Sequence, residues 1–144
     1  MKAAEGNAIG YNFIEKFILD LYKINNIREI AVDRWNATQL IINLQDDRMT
    51  MIPFGQGFKD MSPPKKEFYK LMMEGKIIHG GNPVLRWMAL NVVVDRDAAD
   101  NIKPTKAKSP EKIDGIVASI MALDRCIRQE QAESVYDSRG LITF

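Results

Sequence analysis

The sequence has one cysteine, one histidine and almost no net charge, and each scarcity excludes a class of protein. Cys126 alone cannot form an intramolecular disulfide, which indicates a reducing compartment and a thiol that packs on a helix. Structural zinc sites normally need four nitrogen or sulfur ligands, so His79 and Cys126 cannot build one by themselves. A formal net charge of +1 provides no global basic field, so any contact with nucleic acid must be local.

Long apolar runs are also missing. None approaches the ~20 residues that span a bilayer, and residues 1–10 lack the basic-then-apolar order of a signal peptide. We therefore expect an intracellular protein without a membrane partner. The sequence shows no internal repeat and no glycine-rich P-loop for nucleotide phosphates. Its 144 residues, 46% of them hydrophobic, suffice for one globular domain.

Apolar spacing predicts helices that alternate with strands, which is the pattern of an α/β fold. The predicted helices cover 11–23, 35–44, 62–74, 83–89 and 109–131. The predicted strands cover 27–32, 49–54, 76–79 and 92–94, the last paired with 102–107 as a hairpin. Ser62, followed by Pro63 and Pro64, is a typical helix start. Residues 132–144 are predicted to form an irregular tail.

Asp33 is the first candidate catalytic residue, because it directly follows the apolar strand over 27–32. In open α/β sheets, ligands and catalytic groups collect at the carboxyl ends of strands. The alternative role is structural, since an aspartate in front of Trp35 can cap the second helix. Position alone leaves both roles open.

Asp114 is the second candidate, one turn into the longest predicted helix. An acidic residue there can simply complement the helix dipole. The neighbouring Gly115 costs about 1 kcal/mol relative to alanine, and close approach of another backbone or of a ligand would explain it. Carboxylates at a strand end and a helix start are suitable ligands for Mg²⁺ or Mn²⁺, and two such ions can flank a scissile phosphate.

Basic residues recur before Asp114, at Lys103, Lys106, Lys108 and Lys112. They predict either a solvated turn or a local patch for phosphates. His79 lies in a glycine-rich loop, where a lone histidine is either a surface group or part of a site.

Four segments, in this order, resemble the large terminase subunits of tailed bacteriophages. They are IAVDRWNA at 30–37, PFGQG at 53–57 with MSP at 61–63, IHGGNPVLRWM at 78–88 with Asn91, and KIDGIVASIMAL at 112–123. The resemblance runs from about residue 6 to the end of the chain. It implies the nuclease domain of that family over residues 1–131, with a ribonuclease H-like α/β fold, a mixed sheet flanked by helices, and an added hairpin.

The resemblance also implies chemistry and partners. Members of the family cut concatemeric double-stranded DNA during packaging, using divalent metal held by acidic residues. Asp33 matches the carboxylate at the strand end and Asp114 the carboxylate on the last helix, so both are the implied catalytic ligands of Mg²⁺ or Mn²⁺. The implied partners are DNA, the portal and the small terminase subunit, in the cytoplasm of a host cell. The implied DNA contacts are Lys108, Lys112, His79 and Arg86.

The sequence departs from the family pattern in one respect that concerns the metal. The family's first metal-binding aspartate lies on an opening strand, followed by two more strands, and none of these has a counterpart here. We therefore expect an incomplete sheet and an incomplete two-metal site, for which Asp95, Asp97 or Asp124 could supply the third carboxylate. The unpaired edge of the strand over 27–32 predicts self-association.

Three functions are therefore considered. The first is a metal-dependent endonuclease that hydrolyses a phosphodiester with little sequence specificity. The second is a catalytically inactive fragment that retains a surface for DNA or packaging partners. Without the resemblance, the residues indicate only a small α/β domain that binds an unknown ligand. Whether this chain is an active enzyme by itself stays open.

Overall fold

The structure, a computed structural model, describes residues 11–33 and 38–138. These ranges contain α1 (Tyr11–Ile24), β1 (Ile30–Asp33), α2 (Thr38–Asp46), β2 (Met51–Phe54), α3 (Phe58–Met73), α4 (Pro83–Leu90), β3 (Val94–Arg96), β4 (Ile102–Pro104) and α5 (Asp114–Ser138). Among the described residues β1 pairs with β2 and β3 with β4. None of the described helices is long and apolar enough to cross a membrane. The chain divides into two compact units, Met1–Pro53 and Phe54–Phe144, which are described separately.

The first unit packs two helices and a strand pair around three buried side chains, those of Leu44, Met49 and Met51. The amphipathic α1 contributes Ile18 and Leu19 to this core. The apolar side of α1 is only partly covered, because Phe13 and Phe17 are each about two-fifths exposed. A hydrogen bond from Asn43 Nδ2 to Glu15 Oε2, 2.6 Å long, joins α2 to α1.

The second unit is built on α5, against which both α3 and α4 pack. Apolar residues at helical spacing bury one face of α5. The buried residues of this face are Ile116, Val117, Ile120 and Met121. The strands β3 and β4 form an antiparallel hairpin in which Asp95 lies opposite Lys103, as the sequence predicted in outline. The hairpin packs on α3 through β4.

The start of α3 was predicted wrongly. The helix begins at Phe58 rather than at Ser62, so Pro63 and Pro64 lie inside it. Ser62 does not cap the helix. Its side chain is buried, and its Oγ accepts the backbone N–H of Ile102 at 3.1 Å. A serine that looks like a helix cap in the sequence therefore connects α3 to β4.

Other elements also differ from the predictions, and β1, β2 and α2 are each displaced by two or three residues at one end or both. Residues 76–79 form no strand, and the Ile78 side chain there is 95% exposed. The strand predicted over 92–94 is displaced to Val94–Arg96, because the Val92 N–H bonds to the end of α4 and the Val93 N–H bonds to Ser109 Oγ. The last helix starts at Asp114 rather than at 109 and continues to Ser138 rather than ending near 131. Cys126 is exposed, so its predicted packing role is wrong.

Candidate functional site

Asp114 is the first residue of α5 and its carboxylate faces solvent. The Ile113 carbonyl accepts the N–H groups of Ile116 and Val117, at 3.0 and 3.1 Å, which closes the first turn of the helix. Ile113 itself is only 1% exposed. Burial of Ile113 thus fixes the turn, while the adjacent Asp114 side chain remains 56% exposed.

Lys106 is the direct partner of Asp114. Its Nζ lies 2.5 Å from Asp114 Oδ1. The hydrogen bond from Lys106 lowers the pKa of Asp114 below its usual value, against a smaller opposing effect of burial, and the charges of Lys106 and Lys112 lower it further. Asp114 is therefore a carboxylate at neutral pH, as a metal ligand must be.

An open hollow of about 350 Å³ surrounds the pair of Lys106 and Asp114. Ser109, Pro110, Glu111 and Lys112 form the rest of its lining together with Ile113. Lys112, two residues before Asp114 in the sequence, lines the same hollow. The hollow is therefore lined by two lysines, Lys106 and Lys112, and by two acidic residues, Glu111 and Asp114, at the head of the longest helix.

The turn that carries Lys106 is held by hydrogen bonds of Thr105 and Ser109 with Val93. Thr105 is 8% exposed, and its N–H donates to the Val93 carbonyl at 2.9 Å. Ser109 Oγ donates to the Thr105 carbonyl at 2.7 Å and accepts the Val93 N–H at 3.1 Å. The backbone of Lys106 is therefore held on the hairpin while its side chain reaches toward Asp114.

Lys108 points to a different carboxylate. Its ammonium pairs with Asp95 on β3, and this hydrogen bond lowers the pKa of Asp95. Lys106, and not Lys108, contacts Asp114. Both lysines belong to one basic run in the sequence. Their different partners could not be predicted, because the turn after β4 is irregular and has no periodicity that fixes side-chain directions.

His79 and Arg86 lie together in a separate groove of about 250 Å³. Apolar side chains of α3 and α4 line the rest of it, including Phe68, Met72 and Leu85. Gly80 and Gly81 follow His79 with φ values of +60° and +70°, a backbone conformation that glycine adopts without strain. Asn82 then caps α4, its Oδ1 accepting the N–H groups of Val84 and Leu85 at 3.0 Å.

Gly115 is a point of close contact between α4 and α5. The Gly115 N–H donates to Met88 Sδ at 3.2 Å. A Cβ atom at Gly115 would lie 2.8 Å from Met88 Sδ and 3.2 Å from Leu85 Cδ1. The sequence analysis correctly expected a close approach at this glycine, but the approaching group is a side chain and not a backbone or ligand.

Asp33 ends β1 in the first unit and is partly buried. Its position at the carboxyl end of a strand is the one the sequence predicted. The alternative role as a cap for a helix starting at Trp35 falls on residues 34–37, which lie outside the described residues.

The three aspartates considered as substitutes for a missing ligand have other contacts. Asp95 pairs with Lys108, and Asp97 closes the hairpin loop by accepting the N–H groups of Ala99 and Asn101. Asp124 is buried on α5 and accepts a hydrogen bond from Arg128 Nε at 2.7 Å. It lies ten residues after Asp114 on the same helix, which corresponds to about 15 Å along the axis.

The chemistry of Asp114 fits a hard divalent cation. Its carboxylate is ionised, accessible, and already bound to a cationic group, the Lys106 ammonium. Within residues 11–33 and 38–138, no three side chains of histidine, cysteine, aspartate or glutamate gather as a metal site. Mg²⁺ commonly binds through one or two carboxylates, with water and substrate phosphate completing its shell. Asp114 is suited to be one such ligand.

Comparison with known proteins places this chain in a family. The model of the terminase large subunit endonuclease domain matches residues 1–130. The terminase large subunit of Enterobacteria phage HK97 is 35% identical over 128 residues, covering 85% of this chain and 25% of that protein. Protein YmfN of Escherichia coli (strain K12) is 31% identical over 139 residues, covering 95% of this chain and 30% of that protein.

A solved structure supports the same assignment. The crystal structure of the HK97 bacteriophage large terminase matches with a TM-score of 0.75 at 35% identity, over 83% of this chain and 26% of that chain. The mixed α/β architecture is therefore of the ribonuclease H-like class, as predicted. The chain belongs to the family of terminase large subunit endonuclease domains. It spans only 25% to 30% of the length of the two curated relatives.

Proposed function

We propose that this chain acts as the DNA-cutting module of a phage packaging terminase, with Asp33 and Asp114 each supplying a carboxylate to divalent metal. The observation that carries the proposal is the ionised Asp114 at the head of α5, accessible to solvent in a hollow that Lys112 also lines. Family membership supports the same role. The substrate is double-stranded DNA, hydrolysed at a phosphodiester.

The chain's own residues have distinct tasks in this proposal. Asp114 binds and orients the cation from a helix start whose first turn is fixed by buried Ile113. Lys112 lies in the same hollow and offsets phosphate charge. Mg²⁺ or Mn²⁺, when bound, polarises the scissile phosphate and lowers the pKa of the attacking water.

The contacts with DNA extend beyond the hollow. Lys108 and Arg86 are exposed basic residues, and His79 lies in the same groove as Arg86. Such residues position a backbone without reading base sequence. We propose that the domain works with a portal and a small terminase subunit in the cytoplasm of a host cell, where a phage or prophage supplies the packaging machinery.

A second candidate function is DNA or partner binding without cleavage. It is favoured by the pairing of Asp114 with Lys106, since an ammonium on the carboxylate opposes metal binding unless the metal displaces it. In this case the basic residues of the hollow would hold a DNA backbone or an acidic partner surface, and the aspartates would be structural.

Plasmid cleavage separates the two functions. Supercoiled plasmid is incubated with Mn²⁺ and the parent chain, Asp33→Asn or Asp114→Asn. Asp20→Asn is the matched control, because Asp20 is an exposed carboxylate paired with Lys23 on α1. The nuclease proposal predicts nicking by the parent and by the control, and loss of nicking in both site variants. A folded parent that binds plasmid but never nicks it supports the binding function instead, and nicking that survives both substitutions contradicts the assignment of these aspartates.

Self-association is proposed as well. Several large apolar side chains of the described residues are exposed, among them Ile24 at 78% and Leu90 at 81%. Among the described residues β1 pairs with β2 alone, and an unpaired strand edge invites pairing with a second copy. Light scattering over a concentration series should show a mass that rises above 16.4 kDa, whereas a constant monomer mass would contradict the proposal.

A further inference from the structure

The ion pair between Lys106 and Asp114 occupies the place that the proposed function gives to a cation. Both side chains are about half exposed, at 50% and 56%. Exposed pairs of this kind contribute at most about 1 kcal/mol. A divalent ion with twice the charge can therefore displace the ammonium at small cost, because two like-charged groups compete for the same carboxylate.

A displaced Lys106 side chain stays anchored beside the hollow. Its backbone is held by the buried Thr105, which bonds to Val93, and by Ser109, which bonds to Thr105. The flexible stem of a lysine moves while its Cα stays in place. The freed ammonium is thus within side-chain reach of the hollow that Lys112 also lines, where an anion would meet both groups.

We propose that Lys106 is a substrate-positioning residue that the divalent cation releases from Asp114, so that cation binding frees an ammonium for the DNA phosphate. The inference rests on the proposed function of Asp114. It adds a coupling between the two ligands: without the cation, Lys106 neutralises Asp114 and is withheld from DNA. With the cation bound, Lys106 and Lys112 both face the phosphate.

The neighbouring Lys108 provides a matched control. It lies two residues away in the same turn and carries the same charge, but it pairs with Asp95 on β3. A cation at Asp114 does not compete for the partner of Lys108. Replacing either lysine by methionine removes one charge and keeps an unbranched side chain, so a difference in Mn²⁺ affinity between the two variants reports the direct contact with Asp114.

The first measurement is calorimetric titration of the full chain with Mn²⁺. The Lys106→Met variant should bind Mn²⁺ more tightly than the parent, by up to about fivefold, because its carboxylate has no ammonium to lose. Lys106→Arg should resemble the parent, and Lys108→Met should change the affinity less than Lys106→Met. Affinity in Lys106→Met that equals or falls below that of the parent overturns the inference.

The second measurement is fluorescence anisotropy of a labelled DNA duplex with and without Ca²⁺. Ca²⁺ should raise the duplex affinity of the parent and of Lys106→Arg, and should raise that of Lys106→Met less. An equal increase in all three overturns the inference while leaving the role of Asp114 intact. If Asp114→Asn binds Mn²⁺ as the parent does, or if the parent binds none, the proposed cation role of Asp114 fails and the coupling fails with it.

Discussion

Met88 Sδ accepts the backbone N–H of Gly115 at 3.2 Å, and this contact fixes α4 against the first turn of α5. The sulfur satisfies one of the amide groups that a helix start leaves without an intrahelical acceptor. Gly115 is the residue after Asp114, so the contact also fixes the backbone from which the candidate metal ligand projects. The packing contact at Gly115 and the candidate metal ligand Asp114 are thus neighbours in the chain.

Gly115→Ala should destabilise the protein by about 1 kcal/mol, because an overpacking cost exceeds the gain in helix propensity. The added Cβ would lie 2.8 Å from Met88 Sδ. In a Met88→Ala background the same substitution should cost less or become neutral, since the closer contact is gone while Leu85 Cδ1 at 3.2 Å and the propensity gain remain. Urea denaturation of the four proteins of this cycle measures the coupling. Equal effects of Gly115→Ala in both backgrounds would show that Met88 does not constrain this position.

Ser62→Ala should lower the free energy of unfolding by about 1 to 2 kcal/mol, because it leaves the Ile102 N–H without its acceptor. Ser62 Oγ accepts that N–H at 3.1 Å from a buried side chain. Hydrogen exchange of the Ile102 amide should accelerate in the variant. Ser119→Ala is the matched control, because Ser119 Oγ donates only to the Gly115 carbonyl in its own helix. An Ile102 amide that exchanges equally in both variants would contradict the role of Ser62.

The loop of the hairpin should loosen in acid as Asp97 becomes protonated. Hydrogen bonds from the Asn101 side chain, then from the Asn101 and Ala99 backbones, hold the pKa of Asp97 below its usual value. The folded-state pKa is thus lower than the unfolded one. The stabilisation is fully present above about pH 4 and is lost as pH falls through the folded-state pKa. Amide shifts of Ala99 and Asn101 followed by NMR should show a midpoint below that of a free aspartate, and Asp97→Asn should show no such transition. A midpoint at or above the free value contradicts the account.

Periodic features were predictable from the sequence, and features that depend on tertiary contacts were not. The amphipathic α1 and the proline-initiated α4 were expected close to their observed bounds, because their apolar spacing and caps are local. The start of α3 was missed, since the signal at Ser62 and its prolines describes a helix start while tertiary contacts extend the helix back to Phe58. The strand predicted over 76–79 was wrong because apolar residues alone do not supply a partner strand.

The candidate site was predictable in part for the same reason. Asp33 and Asp114 could be named from their places at a strand end and a helix start. The pairing of Asp114 with Lys106 could not, because it depends on how the turn from Thr105 to Ser109 is held against Val93. The role of Met88 beside Gly115 depends likewise on how α4 packs on α5. Such contacts join segments that lie far apart in the sequence, so no local periodic pattern predicts them.

Paramagnetic broadening by Mn²⁺ tests the central claim most directly, because it locates the bound cation without requiring cleavage. Backbone amide spectra of the full chain are recorded while Mn²⁺ is added in small steps. The account predicts that the amides around Asp33 and around Asp114 broaden first, and that Asp114→Asn protects the start of α5. Early broadening could instead appear elsewhere, such as at the exposed Asp46 and Asp47, while the amides around Asp33 and Asp114 stay unchanged. That result would contradict the assignment of Asp33 and Asp114 as metal ligands.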